Sequence, residues 1–418
     1  LWHEGALDAT SCVCIFPKIF YKDLLFVRKG DGMKPANSVF ASFGTTVFET
    51  MTRLAIEHQT INLGQGFPDE DGPNSIKAMV DQATQEGPNQ YPPMLGIPEL
   101  RQAVAAHNKR FYSLDVDWQT QVMVSSGATE SLAASILALI EPGDEAVVFE
   151  PLYDSYVPML RRAGAKVKFV RLQPPTWDLP REELDAAFTD NTKLILLNTP
   201  MNPTGKVFSK DELTFIAGIT QRYDTYAICD EVYEHLIFDG VKHVPLITLP
   251  GMAERTIRIG SAGKTFSMTS WKVGYLTAAP KLMSLIAKAH QFLVFTTPSN
   301  LQRAVAHGLD NEQHWYTNLA VGLQAKRDML QGALTDIGFE VMPTAATYFM
   351  NADYRSLGFG GTDVEFCRHV TVEAGVTVLP VSALYSTPDV DHLVRFCFCK
   401  KYEVLNAALD RLRKFFGT

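Results

Sequence analysis

Short, continuously apolar segments alternate with amphipathic ones through the middle of this chain, and this alternation constrains the fold more than any other feature. Continuous apolar strands separated by helices are typical of a mostly parallel sheet covered by helices on both faces. The sequence therefore predicts an α/β domain. The predicted strands and helices are Val122–Ser126, Glu130–Ile140, Glu145–Phe149, Tyr153–Arg162, Val167–Arg171, Lys193–Asn198, Lys210–Arg222, Tyr226–Cys229 and Thr256–Gly260.

The pattern changes after about Leu309, where a long helical stretch begins. Helices and isolated strands then succeed each other without the regular alternation, which predicts a second, smaller α+β domain. Its predicted elements are Gln324–Asp336, Phe339–Met342, Tyr348–Met350, Asp363–Ala374, Val376–Leu379, His392–Phe398 and Tyr402–Phe416. Residues 1–32 differ in pattern from the rest of the chain, and we expect them to form an extension of unknown role before a folded unit that starts near Met33.

Charge and composition exclude several classes of partner. The 418 residues carry 38 Lys and Arg against 46 Asp and Glu, a net charge of −8. Nucleic acids and anionic membrane surfaces select basic proteins, so neither is an expected partner. No apolar run reaches the length of about 18 residues that crosses a bilayer. The 6 cysteines are too few for a disulfide framework and lack zinc-ligand spacing, so they predict buried thiols in a reducing, cytoplasmic compartment. Import into an organelle stays an alternative.

Polar groups come after several predicted strands, at the sheet edge where ligands bind. Ser126–Glu130 has the small residues that let backbone N–H groups approach an anion at a helix N-terminus. Asn202 lies in a rigid, proline-rich turn. Asp230 ends a buried strand, where a carboxylate needs a cation or a donor. Lys264, in the loop Ser261–Phe266, suits a Schiff-base nucleophile. Each feature alone also has an ordinary structural explanation as a turn or a helix cap.

Two ligands are candidates for this edge. Gly263-Lys264-Thr265 resembles the end of a nucleotide-binding P-loop, but that motif needs a glycine where the chain has Arg258. The second candidate is pyridoxal 5′-phosphate, which needs all the groups found here. They are the amine of Lys264, the carboxylate of Asp230, the amide of Asn202, the phenol of Tyr233 and the anion cradle at Ser126–Glu130. This cofactor takes a lysine on its aldehyde and a carboxylate on its ring nitrogen.

At these motifs the chain resembles the class I/II aminotransferases, the fold type I enzymes that use pyridoxal phosphate. Within the family it is most similar to the methionine aminotransferase and kynurenine aminotransferase (glutamine transaminase K) group. The resemblance implies a seven-stranded-type sheet in a large domain (63–309), a small C-terminal domain (310–418), and an N-terminal arm (33–62) that packs on the small domain and covers the site. The matching segments are Asn62–Asp69, Asn89–Tyr91, Gly127–Glu130, Asn198–Gly205, Asp230–Tyr233, Ser261–Phe266, Trp271–Gly274 and Arg395–Phe398.

The resemblance also implies roles around the cofactor ring. Lys264 carries the cofactor as a Schiff base and moves the substrate proton, and Asp230 pairs with the ring nitrogen. Tyr233 and Asn202 hold the phenolic oxygen, while Tyr153 stacks on the ring. Lys264, Asp230 and Tyr233 are therefore the expected catalytic residues, and no metal is expected.

Further implied roles concern the phosphate and the substrate. Arg395 makes a bidentate bond to the substrate carboxylate, near Gly64 and Asn202, and Phe295 lies at the substrate pocket. The neighbouring subunit supplies Tyr91 to the phosphate, which implies a homodimer. The other residues expected to hold the phosphate are Ala128, Thr129, Ser261 and Lys272.

The predicted function is a transaminase (EC 2.6.1 class) that moves the amino group of a neutral L-amino acid to a 2-oxo acid. No motif places a second arginine in the substrate pocket, and its expected wall is apolar and aromatic (Phe43, Phe48, Tyr91, Tyr153 and Phe295). Sulfur-containing amino acids, glutamine and aromatic amino acids are thus the expected donors. Two alternatives stay open: cysteine S-conjugate β-lyase activity on the same cofactor, and a non-catalytic protein that binds pyridoxal phosphate.

Overall fold

A computed structural model describes residues 34–417 of the chain, so the predicted extension 1–32 lies outside the described residues. None of the helices in 34–417 is both long and apolar enough to cross a membrane. The strands of this part are β1 (Ile61–Asn62), β2 (Val122–Ser125), β3 (Glu145–Glu150), β4 (Lys166–Arg171), β5 (Thr192–Asn198), β6 (Tyr226–Asp230), β7 (Thr256–Ser261), β8 (Gly274–Thr277), β9 (Glu340–Val341), β10 (Phe349–Asp353), β11 (Val376–Thr377), β12 (Leu379–Pro380) and β13 (Leu393–Cys397).

The α-helices connect and cover these strands. Those before and around the large sheet are α1 (Ser38–Ala41), α2 (Val47–Glu57), α3 (Asn74–Glu86), α4 (Pro98–Tyr112), α5 (Trp118–Gln121), α6 (Ala128–Leu139), α7 (Tyr156–Ala163), α8 (Arg181–Ala187), α9 (Lys210–Arg222), α10 (Ala262–Thr265), α11 (Pro280–Leu293) and α12 (Ser299–Asn311). The later ones are α13 (Gln313–Ile337), α14 (Asp363–His369) and α15 (Tyr402–Phe416).

The large sheet has seven strands in the order β2-β8-β7-β6-β5-β3-β4. All neighbours are parallel except β8, which is antiparallel to both β2 and β7. Helices cover both faces, so the central strands are buried on both sides and contain continuous Leu, Ile and Val runs. The predicted mostly parallel α/β sheet is confirmed.

A smaller sheet, β12-β13-β10-β9, lies toward the C-terminus, and its neighbouring strands are antiparallel. The segment before residue 63 packs against the same region: β1 pairs in parallel with β11, and Met51 of α2 belongs to the core that contains Phe396 and Leu405. These contacts set the N-terminal segment against C-terminal elements. The exact domain bounds 33–62, 63–309 and 310–418 stay predictions.

Several element boundaries differ from the predictions, among them those of two helices. The predicted helix Tyr153–Arg162 starts at Tyr156, which leaves Tyr153 in the preceding turn. The predicted helix Asp363–Ala374 is α-helical only to His369 and continues as one π-helical stretch. The boundary of α9 has a clear cause, because Ser209 and Glu212 form a reciprocal capping box at its first turn.

Candidate active site

A cavity of about 280 Å³ lies at the carboxyl edge of the large sheet, where β5, β6 and β7 end. This is the edge at which α/β sheets bind ligands. Asn198, Asp230 and Ser261 are the last residues of the three strands, and all three line the cavity. Ten of the predicted site residues line it: Ala128, Thr129, Tyr153, Asn202, Asp230, Tyr233, Ser261, Lys264, Lys272 and Arg395.

Lys264 lies in the single helical turn α10, directly after β7. Its Nζ donates a hydrogen bond to the Tyr348 hydroxyl at 2.8 Å, and that hydroxyl donates to the carbonyl of Gly66 at 2.9 Å. No carboxylate in residues 34–417 forms an ion pair with Lys264. Burial therefore lowers the pKa of its amine, which favours the neutral, nucleophilic form.

Asp230 ends β6 and is buried below the same cavity. The Tyr156 hydroxyl donates to its Oδ2 at 2.6 Å, and the backbone N–H of Val232 donates to Oδ1 at 3.4 Å. Asn198 Nδ2 donates to the Asp230 carbonyl, which holds the ends of β5 and β6 together. Burial raises the pKa of the carboxyl in spite of these donors, so Asp230 would gain from a cation placed in the cavity.

The N-terminus of α6 forms an open cradle beside the cavity. Gly127 precedes the helix with φ of +76°, and a Cβ at this position would lie 3.2 Å from Lys272 Cε. A Cβ on Gly274 would lie 2.5 Å from the Gly127 carbonyl carbon. The absence of side chains at Gly127 and Gly274 thus allows the N-terminus of α6 and the Lys272 ammonium group to lie close together. Such a terminus, with its free N–H groups, favours an anion.

Arg395 projects from β13 and is only 1% exposed. It donates to Asn202 Oδ1 at 3.0 Å and to the Gly64 carbonyl at 2.9 Å, while its Nε has no partner among the described residues. The guanidinium carbon lies 4.0 Å from the ring centre of Phe349. Burial lowers the pKa of Arg395. A buried guanidinium whose hydrogen-bond partners are all neutral is a site for an external carboxylate.

Three predicted pocket residues lie away from this cavity in the single chain. Tyr91 is 85% exposed and Phe295 is 39% exposed, and their rings meet edge to face at 5.5 Å. Phe43 is also exposed and is absent from the cavity lining, whereas Phe48 lines it. Gly64 reaches the site only through its carbonyl oxygen. Tyr91 and Phe295 are expected to serve the site of the neighbouring subunit, so Phe43 alone departs from the wall that we expected of one chain.

Three residues that shape the site were not predicted from the sequence. Tyr156 forms a hydrogen bond with Asp230, Tyr348 forms one with Lys264, and the ring of Phe349 packs against the guanidinium of Arg395. Tyr156 had a signal, because it comes three residues after Tyr153 at the start of a predicted helix. No local sequence pattern indicated that Tyr348 and Phe349 belong to the site, because the residues that they contact there are distant in the sequence.

A second buried polar cluster lies beside the first and shares the segment after β6. We name Arg258, Glu231, Glu234, His107 and His235 the Arg258 cluster. Arg258 Nε donates to Glu231 at 2.7 Å and its NH2 donates to Glu234, while the two histidines meet Nε2 to Nε2 at 2.7 Å. His235 lies in this cluster and not in the cavity lining. Asp230, Val232 and Tyr233 thus line the cavity, whereas Glu231, Glu234 and His235 belong to the Arg258 cluster.

The family model for class I and II aminotransferases matches residues 58–412. The chain belongs to that family. It is 43% identical over 381 residues to a probable N-succinyldiaminopimelate aminotransferase of Mycobacterium tuberculosis, covering 88% of this chain and 96% of the relative. It is 38% identical to a kynurenine–oxoglutarate transaminase of Dictyostelium discoideum, covering 91% and 96%. A solved Escherichia coli structure with a methionine aminotransferase function matches with a TM-score of 0.89 and 38% identity, covering 91% and 100%.

The enzyme is accordingly a pyridoxal-phosphate-dependent transaminase, as the motifs predicted. The described residues fit this cofactor on physical grounds. A Cβ on Gly127 would crowd Lys272 at the helix N-terminus that would hold the phosphate. Among residues 34–417, Lys264 has no ion-pair partner, and the buried Asp230 carboxylate accepts only from a hydroxyl and a backbone N–H. These three groups face one cavity.

Proposed function

We propose that this transaminase takes its amino group from a neutral L-amino acid, sulfur-containing, aromatic or glutamine, and passes it to a 2-oxo acid. The observation that carries the proposal is the charge of the cavity lining. Its only basic side chains among residues 34–417 are Lys264, Lys272 and Arg395. We assign Lys264 to the cofactor aldehyde, Lys272 to the cofactor phosphate and Arg395 to the substrate α-carboxylate. No basic side chain of the lining then remains to pair with a carboxylate on the substrate side chain.

The phosphate of the cofactor is assigned to the cradle at the start of α6. Backbone N–H groups of Ala128 and Thr129 would hold it, together with the Ser261 hydroxyl and the Lys272 ammonium group. This assignment is supported by the position of all four residues on the cavity and by the anion preference of helix N-termini. The phosphate then anchors the cofactor at one end.

The ring is assigned to the space between Tyr153, Asp230 and Lys264. Pyridoxal phosphate, when bound, supplies an aldehyde that takes amines and a protonated ring that withdraws electrons. Asp230 would hold the proton on the ring nitrogen, and Tyr156 would fix the orientation of its carboxylate through the bond to Oδ2. Tyr153 would stack on the ring, while Tyr233 and Asn202 would donate to the phenolic oxygen.

Lys264 is assigned the covalent attachment and the proton transfer. Burial lowers the pKa of its amine, so the free amine is available to accept the proton from the substrate Cα at Nζ. The Tyr348 hydroxyl would hold that nitrogen in place, because it is itself fixed by Gly66. A neutral amine is needed for both attachment and proton uptake.

Arg395 is assigned to the substrate α-carboxylate. Asn202 and the Gly64 carbonyl already orient the guanidinium, which leaves its unpartnered face for an anion. The substrate side chain would then meet Phe48 and Tyr153, both on the cavity wall. A side-chain carboxylate in this position would be buried without a partner, at a cost of several kcal/mol.

A homodimer belongs to the same proposal. Tyr91 and the segment around Phe295 carry exposed aromatic side chains on one chain, and Phe292 is 83% exposed. An exposed apolar patch of this kind favours a second copy of the chain. We propose that Tyr91 and Phe295 complete the neighbour's cofactor and substrate sites, and that the enzyme works in the cytoplasm, where its four described cysteines stay free.

Steady-state kinetics with one saturating 2-oxo acid test the substrate assignment. Methionine, glutamine and phenylalanine should exceed aspartate and glutamate in kcat/KM by about a hundredfold. N-succinyldiaminopimelate belongs in the screen because of the 43% identical relative, and a cysteine S-conjugate tests β-elimination through pyruvate release. Aspartate turnover equal to that of methionine would contradict the neutral-pocket proposal.

Sedimentation of the loaded enzyme tests the dimer. A dimer at micromolar concentration is expected, and Tyr91→Ala should weaken cofactor retention while the exposed Tyr402→Ala should not. A fully active monomer would disprove the assignment of Tyr91 and Phe295 to the neighbour.

A further inference from the structure

Two thiols lie in contact at the end of β13. The sulfur atoms of Cys397 and Cys399 are 3.2 Å apart, and both side chains are buried. Cys229 and Cys367, the other cysteines within residues 34–417, are buried and free, and neither contacts another thiol of this part. The pair therefore has a proximity that the remaining described thiols lack.

The two thiols differ in how readily they ionise. Burial opposes ionisation of Cys397, but the hydrogen bond from Cys399 and the charge of Lys400 outweigh it and lower the pKa of Cys397. Burial and the neighbouring Cys397 raise the pKa of Cys399. Lys400 is held in place by the Phe67 carbonyl at 2.9 Å and by Asp69 at 3.2 Å. Cys397 is thus the thiol of the pair that ionises more readily, and the thiolate is the form that hydroperoxides oxidise.

We propose that Cys397 and Cys399 form an oxidation-sensitive dithiol that hydroperoxides convert into an intrachain disulfide, and that this disulfide lowers the transaminase activity. The proposal depends on the established transaminase class of the enzyme and not on the donor that we assign to it.

The oxidation balances with one hydroperoxide as the electron acceptor. The Cys397 thiolate attacks a peroxide oxygen, the O–O bond breaks, and the leaving hydroxide takes up a proton to become water. The Cys399 thiol then attacks the sulfur of the sulfenic acid, an S–S bond forms, and the S–O bond breaks with loss of a second water. The two thiols lose two electrons, which reduce hydrogen peroxide to two waters.

Closing this bond must draw the side chains of Cys397 and Cys399 together at the end of the strand. Residues two apart in an extended segment have Cα atoms separated by roughly 6.6 Å. This lies at the upper end of the range of about 4.4–6.8 Å that disulfides accept. The sulfur atoms must also approach from 3.2 Å to about 2.05 Å. Oxidation is therefore expected to contract the backbone from Cys397 to Cys399.

The contracted segment is bonded to the residues that orient Lys264 and Arg395. Between the two cysteines, the Phe398 N–H donates to the Tyr348 carbonyl at 2.9 Å, and the Cys397 N–H donates to the Leu63 carbonyl at 2.7 Å. Tyr348 bonds Lys264 through its hydroxyl, and Leu63 precedes the Gly64 that bonds Arg395. Cys399, Tyr348 and Lys264 also line one small cavity. Displacement of these groups would misplace the reacting amine and the carboxylate site.

The test uses the cofactor-loaded enzyme, brief treatment with hydrogen peroxide, and alkylation of the remaining thiols. Trypsin cleaves after Arg395 and Lys400 and releases both cysteines in the peptide 396–400. This peptide should lose two hydrogens and escape alkylation as the activity falls by about tenfold or more. Dithiothreitol should restore both thiols and activity. Inactivation that leaves both thiols of the peptide free would overturn the proposal.

Variants separate this mechanism from general oxidative damage. Cys399→Ala should leave the sulfenic acid on Cys397, where dimedone traps it, and should form no disulfide. Cys397→Ala should keep its activity under the same treatment, and Cys367→Ala should behave as the unmodified enzyme. Equal peroxide sensitivity of Cys397→Ala and the unmodified enzyme would disprove the proposal. If Cys397→Ala does not fold, the peptide and the reversal by dithiothreitol decide the question, whichever donor is used.

Discussion

Arg258 and Arg395 are each 1% exposed, yet their surroundings are opposite. Arg258 donates to two carboxylates, Glu231 and Glu234, and to the Asn108 amide oxygen. Burial disfavours its charge, but the two carboxylates outweigh this effect and raise its pKa. Among residues 34–417, Arg395 has only an amide and a backbone carbonyl as hydrogen-bond partners. Burial lowers the pKa of Arg395 and outweighs the effect of the Asp154 carboxylate, which favours the charge without forming an ion pair with it.

The difference separates a structural charge from a binding charge. A buried ion that is paired within the chain holds elements together. Removal of one partner leaves the other charge buried and unpaired, so that its desolvation cost is no longer compensated. A buried cation without a counter-ion lowers the stability of the free protein and favours an external anion. Lys264 also lacks an ion-pair partner among residues 34–417, but burial favours its neutral amine, so it acts as a nucleophile and not as a binding charge.

The largest expected effect is on Lys264. Lys264→Ala should lower kcat by about 10⁴-fold or more, since both covalent attachment and proton transfer depend on its amine. The free energy of unfolding of the apoenzyme should not fall, because an unpaired buried amine is removed. Activity and urea unfolding check this, with the exposed Lys281→Ala as the control. Borohydride reduction that fixes the cofactor on a lysine other than Lys264 would contradict the assignment.

Removal of Arg258 should instead cost stability. Arg258→Met leaves Glu231 and Glu234 buried without their cation, and the free energy of unfolding should fall by about 3–5 kcal/mol. Arg255→Met is the matched control, because Arg255 pairs with the exposed Asp224 and such pairs contribute about 0–1 kcal/mol. Urea titrations of the three proteins give the comparison. Equal losses for both variants would show that the Arg258 cluster is not a structural ion network.

Arg395 should show the reverse pattern. Arg395→Gln should lower kcat/KM by about 10²–10³-fold while the apoenzyme keeps or gains stability, because the lost charge has no partner of its own. Arg395→Lys retains the charge but not the planar fork, and should still lose at least about tenfold. Kinetics with methionine and calorimetry of the apoenzyme measure both quantities. A large loss of stability with unchanged kcat/KM would reverse the comparison between the two arginines.

The smallest effect concerns acid stability through the Arg258 cluster. Burial lowers the pKa of His107 to about 3 and that of His235 to about 4, from 6.5. As the pH falls below 6.5, the unfolded chain therefore binds protons first, and stability decreases down to about pH 4. His235→Gln should flatten this slope by up to about 1.4 kcal/mol per pH unit.

Urea unfolding across this pH range measures the slope, with the exposed His314→Gln as the control. An unchanged slope in His235→Gln would show that His235 takes up its proton without a cost to the folded state.

Local patterns in the sequence were sufficient for the sheet and the family. Strand length and continuous apolar runs predicted the parallel sheet, because residues buried on both faces cannot alternate with polar ones. The order of polar groups after the strands predicted the pyridoxal phosphate class. Both predictions rest on chemistry encoded within short stretches, and both are confirmed. The roles of the individual site residues stay predictions.

Only the tertiary structure distinguished adjacent residues that have the same chemistry and the same position at a strand end. Asp230 and Glu231 are adjacent acids at one strand end, but Asp230 faces the cavity and Glu231 pairs with Arg258. Tyr348 reaches Lys264 across 84 positions of the chain, and Gly64 reaches Arg395 across 331. The sequence by itself determined which side chains are available at the strand ends. Their partners depend on how distant segments pack, since a buried charge is stabilised by the groups around it and not by its position in the chain.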